Sequence, residues 1–223
     1  MNTKDELRAL RAADRRKQNW ITIAIIGLGA LLVTGVLIIP SLKKVEVKSN
    51  PRPMADFDSM GDMNAKVQVE EFSDFQCPYC KQFATEMEAT YVEQYVETGK
   101  VHWKFITYSF IGEESVKAAE AAYCAADQGK FWEYHDLLFA NQNGENQGTF
   151  NQKLFLQMAK DLSLDVTTFQ ACIDKSTYAQ KVTDNMNYGQ SRGVNGTPYF
   201  LVNDKLVDSG NLKAAIEEAL KAE

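Results

Sequence analysis

The chain has 223 residues, 45% hydrophobic and 24% charged, which excludes collagen-like, low-complexity and wholly disordered chains and allows one ordinary domain plus an appendage. The net charge of −6 is unevenly placed: residues 1–49 hold nine Lys/Arg against four Asp/Glu, a balance of +5, so the remainder carries −11. An acidic folded part argues against nucleic acid as a partner, because phosphate contacts need a basic face.

Residues 1–19 form a basic tail. Trp20 to Ile39 then reads WITIAIIGLGALLVTGVLII, twenty residues without a charge. A helix of that length spans about 30 Å, one hydrocarbon core, so a transmembrane anchor is expected over 20–39. A cleaved signal peptide is the rival reading. Its apolar region is normally shorter and ends in a small-x-small site, whereas this run ends in Ile38-Ile39-Pro40. Lys4, Arg8, Arg11, Arg15, Arg16 and Lys17 precede the span, and Lys43, Lys44, Lys48 and Arg52 follow it. The excess on the N-terminal side places that end in the cytoplasm. Everything after Pro40 is then expected outside it, in a compartment that permits disulfides. Residues 40–61, interrupted by Pro40, Pro51 and Pro53, read as a flexible linker. The folded domain is expected over 62–223, long enough for its own core.

The domain opens on a strand in which Val67, Val69 and Glu71 alternate with Gln68, Glu70 and Phe72. Ser73-Asp74-Phe75-Gln76 leads to Cys77-Pro78-Tyr79-Cys80. From Cys80 a helix is expected, with Phe83, Met87, Tyr91 and Tyr95 spaced by four and Gly99 as its stop. Val101 to Tyr108 is the next strand, which completes a βαβ unit. Helices are expected over Ser115 to Asp127, Phe131 to Ala140, Gln152 to Leu162, Val166 to Lys175 and Tyr178 to Arg192, with Asp165 as an N-cap. They make an all-helical insertion over about 112–192. Tyr199 to Val202 and Lys205 to Val207 form a hairpin, and Leu212 to Ala222 closes the chain as a helix.

Two cysteines two residues apart can close a small disulfide ring when the second lies in the first helical turn. Free backbone N–H groups and the positive helix end favour a thiolate at the first, Cys77. Pro78 suits the first helical position, where its missing N–H is not needed. Cys80, one turn in and more buried, reads as the resolving thiol. The competing readings are half of a zinc site and a purely structural short-loop disulfide. The first lacks a second Cys-x-x-Cys and has only His102 and His135 to draw on, so no metal is expected. Gly196-Thr197-Pro198 stands before the hairpin, with Pro198 121 positions after Cys77. It reads as a cis Thr197–Pro198 bond that frees the preceding backbone to pair with an extended peptide, or else as an ordinary loop proline.

These features resemble the DsbA-like branch of the thioredoxin superfamily. The residues that carry the resemblance are Glu71-Phe72-Ser73, Cys77-Pro78-Tyr79-Cys80, Gly129-Lys130-Phe131-Trp132-Glu133-Tyr134-His135 and Gly196-Thr197-Pro198. Cys-Pro-Tyr-Cys is also similar to glutaredoxins, which lack a long helical insertion. The resemblance implies an α/β thioredoxin fold whose helical insertion divides a βαβ half from a β-hairpin–helix half. It implies a redox-active Cys77–Cys80 disulfide with no other cofactor, and dithiol oxidation of reduced secreted proteins. It further implies reoxidation by a membrane quinone-linked partner of the DsbB or vitamin K epoxide reductase type. One departure is Tyr79, where the best-known member has His. That leaves the direction open between an oxidase, a reductase or isomerase, and a non-catalytic binding module of the same fold.

The family tends to carry an acid six residues before the first cysteine. Glu71 stands there, on the strand face of Val67 and Val69. It reads as a buried acid able to exchange a proton with Cys80, or as a strand-end glutamate in water, with Lys104 a candidate partner. Pro78, Tyr79, Tyr199 and Phe110 are candidates for a peptide groove, although aromatics there serve equally as core. Cys124 and Cys172 are expected to pair in an oxidising compartment, the alternative being two buried free thiols. His102 and His135 read as structural.

Overall fold

The computed structural model describes Trp20 and residues 50–222. The expected basic tail, membrane span and first half of the linker lie outside the described residues, Trp20 apart. Among the described residues no helix is long and apolar enough to cross a membrane.

Five strands form one sheet: β1 (Ser59–Met60), β2 (Val67–Ser73), β3 (Val101–Thr107), β4 (Tyr199–Val202) and β5 (Lys205–Asp208), in the order β1-β3-β2-β4-β5. β2 runs parallel to β3, with Val69 opposite Trp103 and Glu71 opposite Phe105. β1 pairs antiparallel with β3, and β4 antiparallel with β2 and β5. The period-2 alternation of β2 therefore puts Val67, Val69, Glu71 and Ser73 on one face. That face carries the main core, with Trp103 and Phe105 fully buried. Phe72, Ile106 and Leu201 on the opposite face join Tyr108 and Val194 in a smaller core.

Helix α1 runs over 78–96 as four joined segments, α-helical Pro78–Gln82 and Glu88–Tyr91 and π-helical Phe83–Met87 and Val92–Val96. Apolar residues spaced by four drift about 40° per step round a pure α-helix. The wider π turns counter the drift. Phe83, Tyr91 and Tyr95 stay buried while Met87 turns outward, and Phe83 stacks on Trp103 with ring centroids 6.1 Å apart.

The insertion holds α2 (Glu113–Ala126), α3 (Phe131–Asn141), α4 (Gln152–Asp161), α5 (Val166–Asp174) and α6 (Ala179–Ser191), and α7 (Leu212–Lys221) ends the described chain. The expected boundaries are met to within one or two residues. α2 begins two residues earlier than its pattern suggests, with Glu113 and Glu114 in the first turn, where acids face the positive helix end. Asp165 caps α5 through Oδ1, which accepts from the N–H groups of Thr167 and Thr168 at 2.9 and 3.0 Å.

Cys124 of α2 and Cys172 of α5 are joined by a disulfide, Cα atoms 5.9 Å apart across a separation of 48 residues. Closing a loop of that length restricts the unfolded chain by about 4 kcal/mol on the loop-entropy relation. A Cys124→Ala/Cys172→Ala protein is expected to unfold at correspondingly lower denaturant while keeping its thiol chemistry, measured by urea titration beside a thiol-exchange assay.

The linker boundary needs correction. Residues 52–61 pack onto the domain instead of leading up to it. Gly61 N–H donates to the Pro53 carbonyl at 2.8 Å, and Ser59–Met60 forms the edge strand on β3. Gly61 sits at φ +90, where an added Cβ would lie 2.6 Å from the Val101 carbonyl. Arg52, expected to be a membrane-flanking charge, has a side chain only 7% exposed. It bridges Glu88 at 3.0 Å and Asp136 at 2.7 Å, with its guanidinium 4.6 Å from the Trp132 ring. Prolines and small polar residues build tight turns as readily as tethers, and composition does not tell the two apart.

Candidate active site

β2 carries the chain to the site and α1 receives it. Cys77 is the N-cap of α1, in extended conformation, with Pro78 beginning the first turn. Cys77 is 5% exposed and Cys80 is fully buried, and both are free thiols. The Thr197–Pro198 bond is cis, and the Thr197 carbonyl accepts from the Cys77 thiol at 3.4 Å. Residues 120 positions apart thus meet at one sulfur.

The two thiols are driven in opposite directions. A hydrogen bond from Cys80 does most to lower Cys77 from 9.0 to about 6, against a burial that raises it; Thr197 and the backbone N–H groups of Cys80 and Tyr79 assist. Burial raises Cys80 well above 9.0, and the neighbouring Cys77 thiolate adds to it. At neutral pH the pair therefore holds one thiolate, on the outer sulfur. Iodoacetamide labelling of the reduced protein is expected to titrate with a midpoint near pH 6 at Cys77 alone. In Cys80→Ala that midpoint should move upward by a unit or more, because the largest stabilising contact is gone. Mass spectrometry of the labelled peptides reads both.

Glu71 is buried in β2, 1% exposed. Its carboxyl is raised from 4.5 to about 8, first by burial and then by the nearby Glu88 carboxylate, while Ser73, Trp103 and Arg52 work the other way. The partner expected at Lys104 is not there. Lys104 stands opposite Glu70 on the other sheet face, and Glu71 Oε2 instead accepts from Trp103 Nε1 at 3.2 Å. The period of a strand decides this: consecutive residues face opposite sides.

Several residues that hold the site in place have no motif to announce them. Asp74 Oδ1 accepts from Gln76 N–H at 2.8 Å and Ser115 Oγ at 2.6 Å, and Oδ2 from Ile111 N–H at 3.1 Å. Gln142 donates from Nε2 to the carbonyls of Phe75 at 2.7 Å and Cys77 at 3.0 Å. Lys81 Nζ donates to the Gln142 carbonyl at 2.9 Å. The insertion thereby clamps the loop that presents Cys77. The polar run Ser73-Asp74-Phe75-Gln76, wedged between an apolar strand and the cysteines, is the signal that points to such a role. Gln142 has no signal in the sequence.

Of the groove candidates, Tyr79 is 71% and Phe110 49% exposed, and Pro78 is exposed as well. Tyr199 is half-buried against the Phe72 cluster and offers less free surface. Neither histidine joins the cysteines: His102 Nδ1 contacts Gln68 at 2.8 Å, and His135 is buried among Phe75, Phe105 and Phe139 with Asp136 at 2.9 Å. Glu88, His135 and Asp136 place ligand atoms within 4.8 Å of one another. The Arg52 guanidinium already bridges both carboxylates, and a cation would have to displace it.

A parallel βαβ unit, an antiparallel hairpin, a buried dithiol at a helix start and a cis proline facing it define a thioredoxin-fold dithiol protein. The thioredoxin family model matches residues 57–222, and the chain belongs to that family. It is 29% identical over 205 residues to the probable disulfide bond formation protein D of Bacillus anthracis, covering 88% of this chain and 94% of that one. It is 30% identical over 169 residues to disulfide bond formation protein D of Bacillus subtilis, covering 73% and 76%. Among solved structures it superposes on oxidised BdbD from Bacillus subtilis with a TM-score of 0.69 at 28% identity, over 79% of this chain and 99% of that one. The chain is a protein disulfide oxidoreductase of DsbA-like architecture.

Proposed function

We propose that the protein is a membrane-tethered oxidase that passes the Cys77–Cys80 disulfide to reduced secreted proteins outside the cytoplasm. The observation that carries the direction is the opposed shift of the two thiols. A dithiol whose outer sulfur is a stable thiolate favours its reduced form, so its disulfide oxidises others. A substrate thiolate attacks Cys77 Sγ, and Cys80 leaves and takes a proton, which Glu71 supplies. A second substrate thiolate attacks the substrate sulfur of the mixed disulfide, forms the substrate disulfide and releases Cys77 as thiolate. The exposed Pro78, Tyr79 and Phe110 offer the approaching peptide an apolar surface, with Thr197 and Pro198 across from them.

The location rests on the uncharged run 20–39 with its basic leading flank. The Cys124–Cys172 disulfide supports it independently, since such bonds persist in oxidising compartments. Return to the disulfide form requires an electron acceptor, and a quinone-linked membrane protein of the DsbB or vitamin K epoxide reductase type is the class that fits a tethered enzyme. Acid quenching of whole cells followed by thiol alkylation tests the direction. The pair is expected to be trapped mainly as the disulfide. A mainly reduced pair would overturn the oxidase reading in favour of a reductase or isomerase.

A further inference from the structure

Gln142 follows the last residue of α3 and is buried. Its backbone N–H donates to the Phe139 carbonyl at 3.3 Å and closes that helix. Its side-chain Nε2 donates to two main-chain carbonyls far away in sequence, those of Phe75 and Cys77. The Cys77 carbonyl is already bonded, accepting from Lys81 N–H at 3.1 Å as the first hydrogen bond of α1. A carbonyl has two lone pairs and takes both donors, so the second one adds direction to a group that was satisfied without it. Lys81 closes a ring. Helical side chains lean toward the N-terminus, and Lys81 Nζ reaches the Gln142 carbonyl at 2.9 Å. Cys77, Lys81 and Gln142 are thus bonded pairwise. Gln76, between the two carbonyls that Gln142 holds, is itself bonded to Ser115 and Asn146 of the same insertion.

We propose that Gln142 is a positioning residue for Cys77, gripping its carbonyl so that the sulfur keeps its place over the free N–H groups of the first turn of α1. Cys77 has a ψ angle of 122°. That angle sets the direction of the carbonyl relative to the side chain, so a carbonyl held from two sides fixes where the sulfur points. In that orientation a thiolate draws on the N–H groups of Tyr79 and Cys80. A disulfide carries no charge for those groups to hold. The grip therefore favours the dithiol over the disulfide and makes the pair a stronger oxidant. The proposal rests on the reading of Cys77 as the attacking thiolate, and holds whichever way electrons flow in the cell.

Gln142→Met keeps the volume of the side chain and removes both donors. It leaves in place Cys80, Lys81 and Asp74, the titratable groups bonded into this turn and its loop. Iodoacetamide labelling of Cys77 is expected to move its midpoint upward by about one unit. Each protein is then equilibrated with glutathione, two glutathione thiols becoming one disulfide as Cys77–Cys80 becomes the dithiol. At pH 8 the variant should hold its disulfide about tenfold more firmly than the parent, because less thiolate stabilisation favours the reduced form. At pH 5 Cys77 is largely protonated in both proteins, and the two constants should agree. A shift of the same size at both pH values is what a merely structural role predicts, and it overturns the proposal, as does an unmoved midpoint. A parent whose Cys77 titrates as an ordinary thiol overturns the underlying reading of Cys77 instead. The unmodified protein gives a second measurement that needs no folded variant. The side-chain amide resonances of Gln142 should move with pH through the Cys77 midpoint, in step with the labelling curve, and resonances that stay fixed from pH 5 to 8 overturn the grip.

Discussion

Cys77→Ser is expected to abolish oxidation of reduced test proteins, a loss of about three orders of magnitude or more that leaves only the uncatalysed background. The outer sulfur is the one lowered to about 6, and Cys77 keeps 5% of its surface exposed where Cys80 keeps none. A serine hydroxyl in its place neither ionises at neutral pH nor forms a disulfide. Cys80 cannot substitute, being fully buried and held protonated. The fold should survive, because the substitution is nearly isosteric at a helix N-cap, where serine is favoured. Oxidative refolding of a reduced, disulfide-dependent protein is the measurement, with thermal unfolding alongside to show that the variant is folded. Turnover by Cys77→Ser at a measurable fraction of the parent rate would refute the assignment. Cys80→Ser should behave differently, accumulating mixed disulfides on Cys77 that survive non-reducing electrophoresis.

Glu71→Gln is expected to stabilise the protein by several kcal/mol at pH 8 and by little at pH 4. The Glu71 carboxyl is raised to about 8 in the fold, against the ordinary value near 4.5 in the unfolded chain. Between those values the folded state keeps a proton that the unfolded state has lost. Stability from this group is therefore fully present below pH 4.5 and falls as pH rises toward 8, by about 1.4 kcal/mol per unit. Glutamine carries no such proton and removes the slope. Urea unfolding of the reduced parent and variant from pH 4 to 8 should give curves that diverge with pH. Parallel curves would show that Glu71 titrates as an ordinary exposed carboxylate. The same substitution should slow the release of Cys80 at neutral pH, so the acid lends function what it takes from stability.

Lys104 and Arg52 show where local pattern stops being informative. Alternation along β2 is enough to put Glu71 inward with Val67 and Val69, and it does so. Which residue faces Glu71 depends on the register of β3, and a one-position difference exchanges Lys104 for Trp103 or Phe105. Arg52 follows a long apolar run in the sequence and reads there as one more flanking charge. Its burial depends on two carboxylates 36 and 84 positions away. The four-residue spacing on α1 likewise predicts a helix but not the π turns that keep its aromatic side toward Trp103.

The cysteine motif is a part of this protein that the chain determines by itself. Cys77-Pro78-Tyr79-Cys80 between a strand pattern and a helix pattern places a thiol at a helix start, and the five helical segments of the insertion follow from local periodicity and caps. The Cys124–Cys172 pair follows from cysteine number once the rest are accounted for. Those features depend on neighbours in sequence, where propensity, capping and spacing act. The tertiary structure alone decides the hydrogen bonds from Asp74 and Gln142 that hold the Cys77 loop, the docking of residues 52–61, and the Trp103 contact with Glu71. It alone brings Thr197 to the Cys77 sulfur. Each joins residues tens of positions apart through buried polar atoms, and such pairing is fixed only when the packed core excludes water and leaves each atom one partner to find.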